Sequence, residues 1–172
     1  MNKISYYDDV VPTALRHQIN DFCLKSFYKL GWYDSQDPSE YIPNLHSNWS
    51  IEDLNKIQIP LYIEQCIKKT PWFTGKKLNQ TVVNLVRPMD VHYIHHHRTN
   101  HVALYYVNLD WQDGWYGETI FYDEFKENNI IFTSPYIPGR IILFDGNIPH
   151  AIRPQSIDGP KFRISITLFF DE

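Results

Sequence analysis

Six short segments in the second half of the chain constrain its fold more than anything else in it. Residues 81–87, 102–109, 118–122, 130–133, 140–144 and 162–170 are rich in β-branched and aromatic side chains, and Gly, Pro, Asn and Asp separate them. Such side chains suit a pleated, half-buried surface, and the separators are turn residues. Many short strands at near-regular spacing predict a sandwich, jelly roll or barrel. The 16% aromatic content agrees, because large rings fill a small β-rich interior with few residues.

The first third reads as helical and connective. Over residues 12–29, Leu15, Ile19, Phe22, Cys23 and Phe27 fall at helical spacing, and Leu30 continues the series. Pro12 lies near the start and Gly31 just past the end. Residues 32–49 read as a long loop. The run from Ser50 to Asp53 resembles a capping box that opens a second, short helix. Pro60 interrupts that helix, which resumes over residues 61–68. The expectation is one domain over 1–172, mainly β with flanking N-terminal helices: 1–78 as helical and loop support, 79–172 as the β core.

Composition excludes several classes. A net charge of −4 offers no broad basic footprint for nucleic acid. No apolar run reaches the roughly 18 residues of a membrane helix, and the N-terminus lacks the apolar centre of a signal peptide. Cys23 and Cys66 sit in apolar helical contexts and read as buried free thiols rather than zinc ligands, which would need close cysteine pairs. Together these predict a cytoplasmic, reducing setting, without nucleic-acid or membrane partners.

Five of the eight histidines fall within ten residues: His92, His95, His96, His97 and His101. His150 stands alone further on. On a strand, His95 and His97 share one face, with His92 and His96 on the other. A paired H-x-H plus one remote histidine can supply three facial metal ligands, and imidazole suits Fe, Zn, Cu and Ni. His101 shares the parity of His95 and His97, so spacing alone leaves the register open. The rival reading is a solvated histidine-rich loop.

Residues 105–111, 117–121 and 138–145, then His150, then Arg163 with Ser165, form an ordered series. It resembles the Fe(II)- and 2-oxoglutarate-dependent oxygenases of the prolyl-4-hydroxylase-like branch, over about residues 85–170. The resemblance implies a double-stranded β-helix (jelly-roll, cupin-like). It also implies Fe(II), 2-oxoglutarate and O2, with hydroxylation of a C–H bond in a small molecule or peptide. In that family an H-x-D pair and a distal histidine hold the metal. His95 and His150 match the histidines, and His97 stands where the family has aspartate. The implied set is therefore His95, His97 and His150. Asp90 is the nearest alternative carboxylate and could pair with His92.

The R-x-S element of the family matches Arg163 and Ser165, which implies that they bind the distal carboxylate of 2-oxoglutarate. Tyr106 matches a tyrosine that helps hold it, and Asn108 shares the face of Tyr106. Periodicity supports the anchor independently. Arg163, Ser165, Thr167 and Phe169 share one face of residues 162–170, and a buried cation there needs a polar partner. An internal salt bridge is the rival for Arg163. Gly117 and Gly139 mark turns at strand starts. Trp111 and Trp115 flank a hairpin at the barrel rim, where packing is the expected role. Two other functions are weighed: a cupin-like three-histidine metalloenzyme that uses no 2-oxoglutarate, and a non-catalytic β-sandwich binding module.

Overall fold

The computed structural model describes residues 3–34, 37–40, 42–97 and 101–171. In chain order the elements are β1 (Ile4–Tyr7), α1 (Thr13–Lys25), β2 (Lys29–Trp32), β3 (Asn44–Trp49), α2 (Ile51–Ile57), α3 (Ile59–Lys68), β4 (Lys77–Val86), β5 (His101–Tyr106), β6 (Thr119–Asp123), β7 (Lys126–Ser134), β8 (Ile141–Asp145), β9 (His150–Ile152) and β10 (Arg163–Asp171). Short 3₁₀ turns lie at Pro38–Glu40 and Pro71–Phe73.

Two antiparallel sheets result. The larger has seven strands in the order β1-β8-β5-β10-β4-β3-β2, and the smaller has three in the order β7-β6-β9. The alternation along β10 shows how they are layered. Ile164, Ile166, Leu168 and Phe170 join one core with the helices, including Leu15, Ile19, Leu54 and Ile63. Phe169 belongs to a second core with Phe121 of β6 and Val82, Leu104 and Phe144 of the large sheet. Helices thus cover one face of the large sheet, and the small sheet covers the other. This is the jelly roll that the strand spacing and the family resemblance lead one to expect.

The six expected strands all form. The helical part needs more correction. In α1, Leu15, Ile19 and Cys23 are buried. The helix stops at Lys25, however, so Phe27 is 96% exposed and Leu30 lies exposed on β2. Residues 32–49 are not one loop, because β3 pairs along its length with β4; residues 35, 36 and 41 of that stretch lie outside those described. The capping box is present, with the Asp53 N–H donating to the Ser50 hydroxyl and the Ser50 N–H donating to the Asp53 carboxylate. Pro60 does not break the second helix. Gln58, left-handed at φ 54°, ends α2, and Pro60 sits in the first turn of α3, where its missing N–H costs no hydrogen bond.

Candidate metal centre and anion pocket

His95 and His150 meet across an isolated antiparallel bridge that extends the small sheet beyond β9. The His95 N–H donates to the His150 carbonyl at 3.0 Å, and the His150 N–H donates to the His95 carbonyl at 2.9 Å. His97 follows two residues later, its N–H bonded to the Gly146 carbonyl at 2.6 Å. One ring nitrogen from each of the three histidines lies within 4.8 Å of the other two. Ring centroids are 4.5 to 5.2 Å apart.

Their local bonds favour ligation. His95 bonds through Nδ1 to the Tyr93 carbonyl at 3.0 Å, and His150 through Nδ1 to the Ile148 carbonyl at 2.9 Å. A carbonyl can only accept, so each ring carries a proton on Nδ1, which makes Nε2 the atom available to a metal. Burial, then the neighbouring imidazoles, push the pKa of His97 down to about 3 and that of His150 well below its ordinary value. Both are therefore neutral at neutral pH, as metal ligands must be.

The other candidates in the cluster lie elsewhere. Asp90 accepts from the backbone N–H and Nε of Arg87 at 3.0 and 3.1 Å. His101 faces the helical layer, against Trp72 and Phe73. His96 is exposed. His92, expected opposite the ligand face, lines the same cavity as the three histidines. The physical reason is that residues 91–94 are not strand, so simple alternation fails there.

Arg163, Ser165 and Thr167 line the same cavity from β10, and Thr119 lines it from β6. Arg163 is completely buried. Its Nε donates to the Gly117 carbonyl at 2.8 Å, one NH2 group to the Thr119 hydroxyl at 3.2 Å and the other to the Ser165 hydroxyl at 3.5 Å. All three partners are neutral. The guanidinium carbon also lies 5.1 and 4.9 Å from the ring centroids of Tyr106 and Tyr136. No carboxylate among the described residues forms an ion pair with it. The internal salt bridge is thus not found for Arg163. It is found for the other buried arginine, Arg140, which holds Asp8 through two bonds of 2.7 Å.

Tyr106 stands one step behind the cavity wall. Its hydroxyl donates to the Thr119 hydroxyl at 2.7 Å, and its ring stacks on Tyr136 at 4.3 Å. Asn108 does not line the cavity, which corrects the expectation for it. Its Nδ2 donates to the Phe162 carbonyl, and its Oδ1 accepts from the Tyr136 hydroxyl and the Ile164 N–H. Every polar atom of that side chain is committed to bracing β10. Trp111 packs on Tyr136 at 4.1 Å and edge-on to Trp115, so the packing role holds for both.

Asp34 joins the site although no sequence motif points to it. It lines the cavity, accepts from His92 Nδ1 at 2.9 Å and lies 3.9 Å from His95 Nδ1. Burial pushes its pKa up, but the His92 bond, the nearby imidazoles and Asn44 outweigh this and hold it below the usual carboxylate range. Nothing local marks Asp34, one of several acidic residues in a polar segment. Thr119 had a signal, since it follows Gly117 in the motif that carries the resemblance.

Two facing antiparallel sheets with helices against the larger one are also the fold of solved 2-oxoglutarate/Fe(II) oxygenases. Solved structures with this fold, prolyl hydroxylases among them, match the chain over nearly its whole length. A Trichoplax adhaerens prolyl hydroxylase in complex with a hypoxia-inducible-factor peptide superposes with a TM-score of 0.70 at 16% identity, covering 99% of this chain and 84% of that one. A Pseudomonas putida prolyl-4-hydroxylase gives 0.69 at 19% identity, covering 100% and 94%. The non-heme α-ketoglutarate-dependent epimerase of nogalamycin biosynthesis gives 0.71 at 10% identity, covering 99% and 78%. No family model matches the sequence, and no curated protein matches it. At these identities the likeness establishes the fold.

Proposed function

We propose that this chain is an Fe(II)- and 2-oxoglutarate-dependent dioxygenase that hydroxylates a C–H bond of a small molecule or peptide. The observation that carries the reading is the unpaired Arg163 guanidinium in the same cavity as three convergent histidines. An unpaired buried charge is costly, and a dicarboxylate that reaches from the histidines to Arg163 relieves the cost.

The donor set fits iron. Three imidazoles, two of them with Nδ1 committed to backbone carbonyls and Nε2 left to ligate, suit a borderline divalent cation. His95, His97 and His150 would hold the ion, and Arg163, Ser165 and the Tyr106–Thr119 pair would seat the distal carboxylate. Bound iron with 2-oxoglutarate and O2 supplies the oxidising chemistry, in which 2-oxoglutarate becomes succinate and CO2 and one oxygen atom enters the substrate. Arg163 orients the co-substrate. Phe169, Phe144 and Val86 keep the cavity wall apolar and exclude bulk water.

The substrate class rests on the likeness to a peptide-bound structure. The Trichoplax adhaerens structure is a complex with a peptide, and a pocket of this fold lined by three histidines and an arginine suits a peptide side chain or a small molecule. Among the described residues, no helix is long and apolar enough to cross a membrane. Cys23 and Cys66 are both free and buried, which supports a reducing, cytoplasmic setting.

The test is succinate release under Fe(II), 2-oxoglutarate and air, with Arg163→Ala in parallel. Wild-type release lost in the variant supports the reading; a protein that binds no 2-oxoglutarate overturns it. His97 favours a second reading, because a set without a carboxylate ligand also suits a metalloenzyme that ignores 2-oxoglutarate. That enzyme would bind metal with the same affinity whether or not 2-oxoglutarate is present.

A further inference from the structure

Three neutral imidazoles leave both charges of a divalent cation uncompensated, whereas a ligating carboxylate would cancel one of them. The chain nevertheless brings a carboxylate to this cavity. Asp34 is nine-tenths buried, and no lysine or arginine among the described residues forms an ion pair with it. Its Oδ2 accepts from His92 Nδ1 at 2.9 Å, and its Oδ1 accepts from Asn44 Nδ2 at 3.3 Å. That same Oδ1 lies 3.9 Å from His95 Nδ1. A carboxylate buried beside three cation-binding groups is placed to compensate a cation held among them.

We infer that Asp34 is the outer-sphere carboxylate of the three-histidine centre: it balances the charge of the bound divalent metal across the His95 ring, without ligating it, and His92 and Asn44 hold it in place. The inference rests on the reading of these histidines as a metal site. It makes Asp34 a positioning residue that acts through charge. Distance and partner both support the outer-sphere role, since the carboxylate is turned to the Nδ1 side of His95 and the ligand atom is Nε2.

The test uses Co(II) as an anaerobic stand-in whose visible absorption reports its coordination. Wild type, Asp34→Asn and Asp34→Glu are titrated with Co(II) by calorimetry, and the loaded proteins are then titrated with azide. Asp34→Asn is expected to weaken Co(II) binding by about 10–100-fold, the usual effect of losing an outer-sphere partner. Its Co(II) absorption bands should match those of the wild type, because the ligands are unchanged. Azide should bind the loaded variant more tightly than the loaded wild type, because the site retains more positive charge. Asp34→Glu keeps the charge and should stay close to the wild type in both titrations. Equal Co(II) affinity in Asp34→Asn, azide affinity that does not rise, or altered absorption bands would each overturn the inference while leaving the metal site standing. A wild-type protein that binds no Co(II) would remove the metal reading itself.

Discussion

Arg163 and Arg140 are both buried arginines, and their difference is informative. Arg140 has its carboxylate, Asp8, while among the described residues Arg163 has neutral oxygens and two aromatic faces. In the metal-loaded protein, Arg163→Ala should weaken 2-oxoglutarate binding by about 100-fold or more, as expected for loss of a charge-assisted bidentate contact. Arg163→Lys should recover only part of this, because an ammonium cannot reproduce the planar fork. Calorimetry with 2-oxoglutarate checks both. Asn108 gives the opposite pattern. Asn108→Ala leaves the Ile164 N–H and the Phe162 carbonyl without partners, so it should cost about 2–4 kcal/mol in urea denaturation while affecting 2-oxoglutarate far less. At this scale the sequence could show that Arg163 faces inward with Ser165. It could not show that Asn108, on the same face as Tyr106, spends its side chain on Phe162 and Ile164, residues more than fifty positions away.

The elements that formed as expected are those whose signal is local. β10 alternates strictly, and α2 begins at a capping box whose loss in Ser50→Ala should cost about 1 kcal/mol in thermal or urea unfolding. Gly117 marks the start of β6 and shows why a turn residue there also matters to the site. Its φ is +79°, and an added Cβ would lie 2.9 Å from Trp111 Cζ2 and 3.3 Å from Arg163 Cδ. Gly117→Ala should therefore destabilise by about 1–3 kcal/mol and displace the guanidinium, lowering 2-oxoglutarate affinity as well as the unfolding midpoint. The elements that were missed are short and take their stability from a partner. β1 has four residues and pairs with β8, and β3 is polar in sequence but pairs with β4. Their extended form comes from the sheet they join, which propensity cannot register.

Across the whole molecule, the buried neutral histidines couple stability to pH. His97 titrates near 3 when folded, and His150 is also held well below its ordinary value. In the unfolded chain both return to roughly 6.5, so below that pH the unfolded state binds more protons than the folded one. The metal-free protein should be most stable above about pH 6.5 and lose stability as the pH falls, by up to about 1.4 kcal/mol per pH unit for each histidine. Melting temperatures at pH 7.5 and 5 test this, and the difference should shrink in a His97→Ala, His150→Ala double variant. Divalent metal should raise the melting temperature at pH 7.5 and much less at pH 5, because protons compete for the same nitrogens.

The sequence by itself determined the six core strands, the two faces of β10 and a short set of candidate ligands, because alternation and turn chemistry act between near neighbours. Only the tertiary structure decided which histidines converge. His95 meets His150 across a bridge between distant segments, while His101 turns away to the helices. It alone also left Arg163 with no carboxylate partner among the described residues and carried Asp34 to His92 and His95. Such meetings depend on how sheets and loops close on one another over long sequence separations, and no local pattern encodes them.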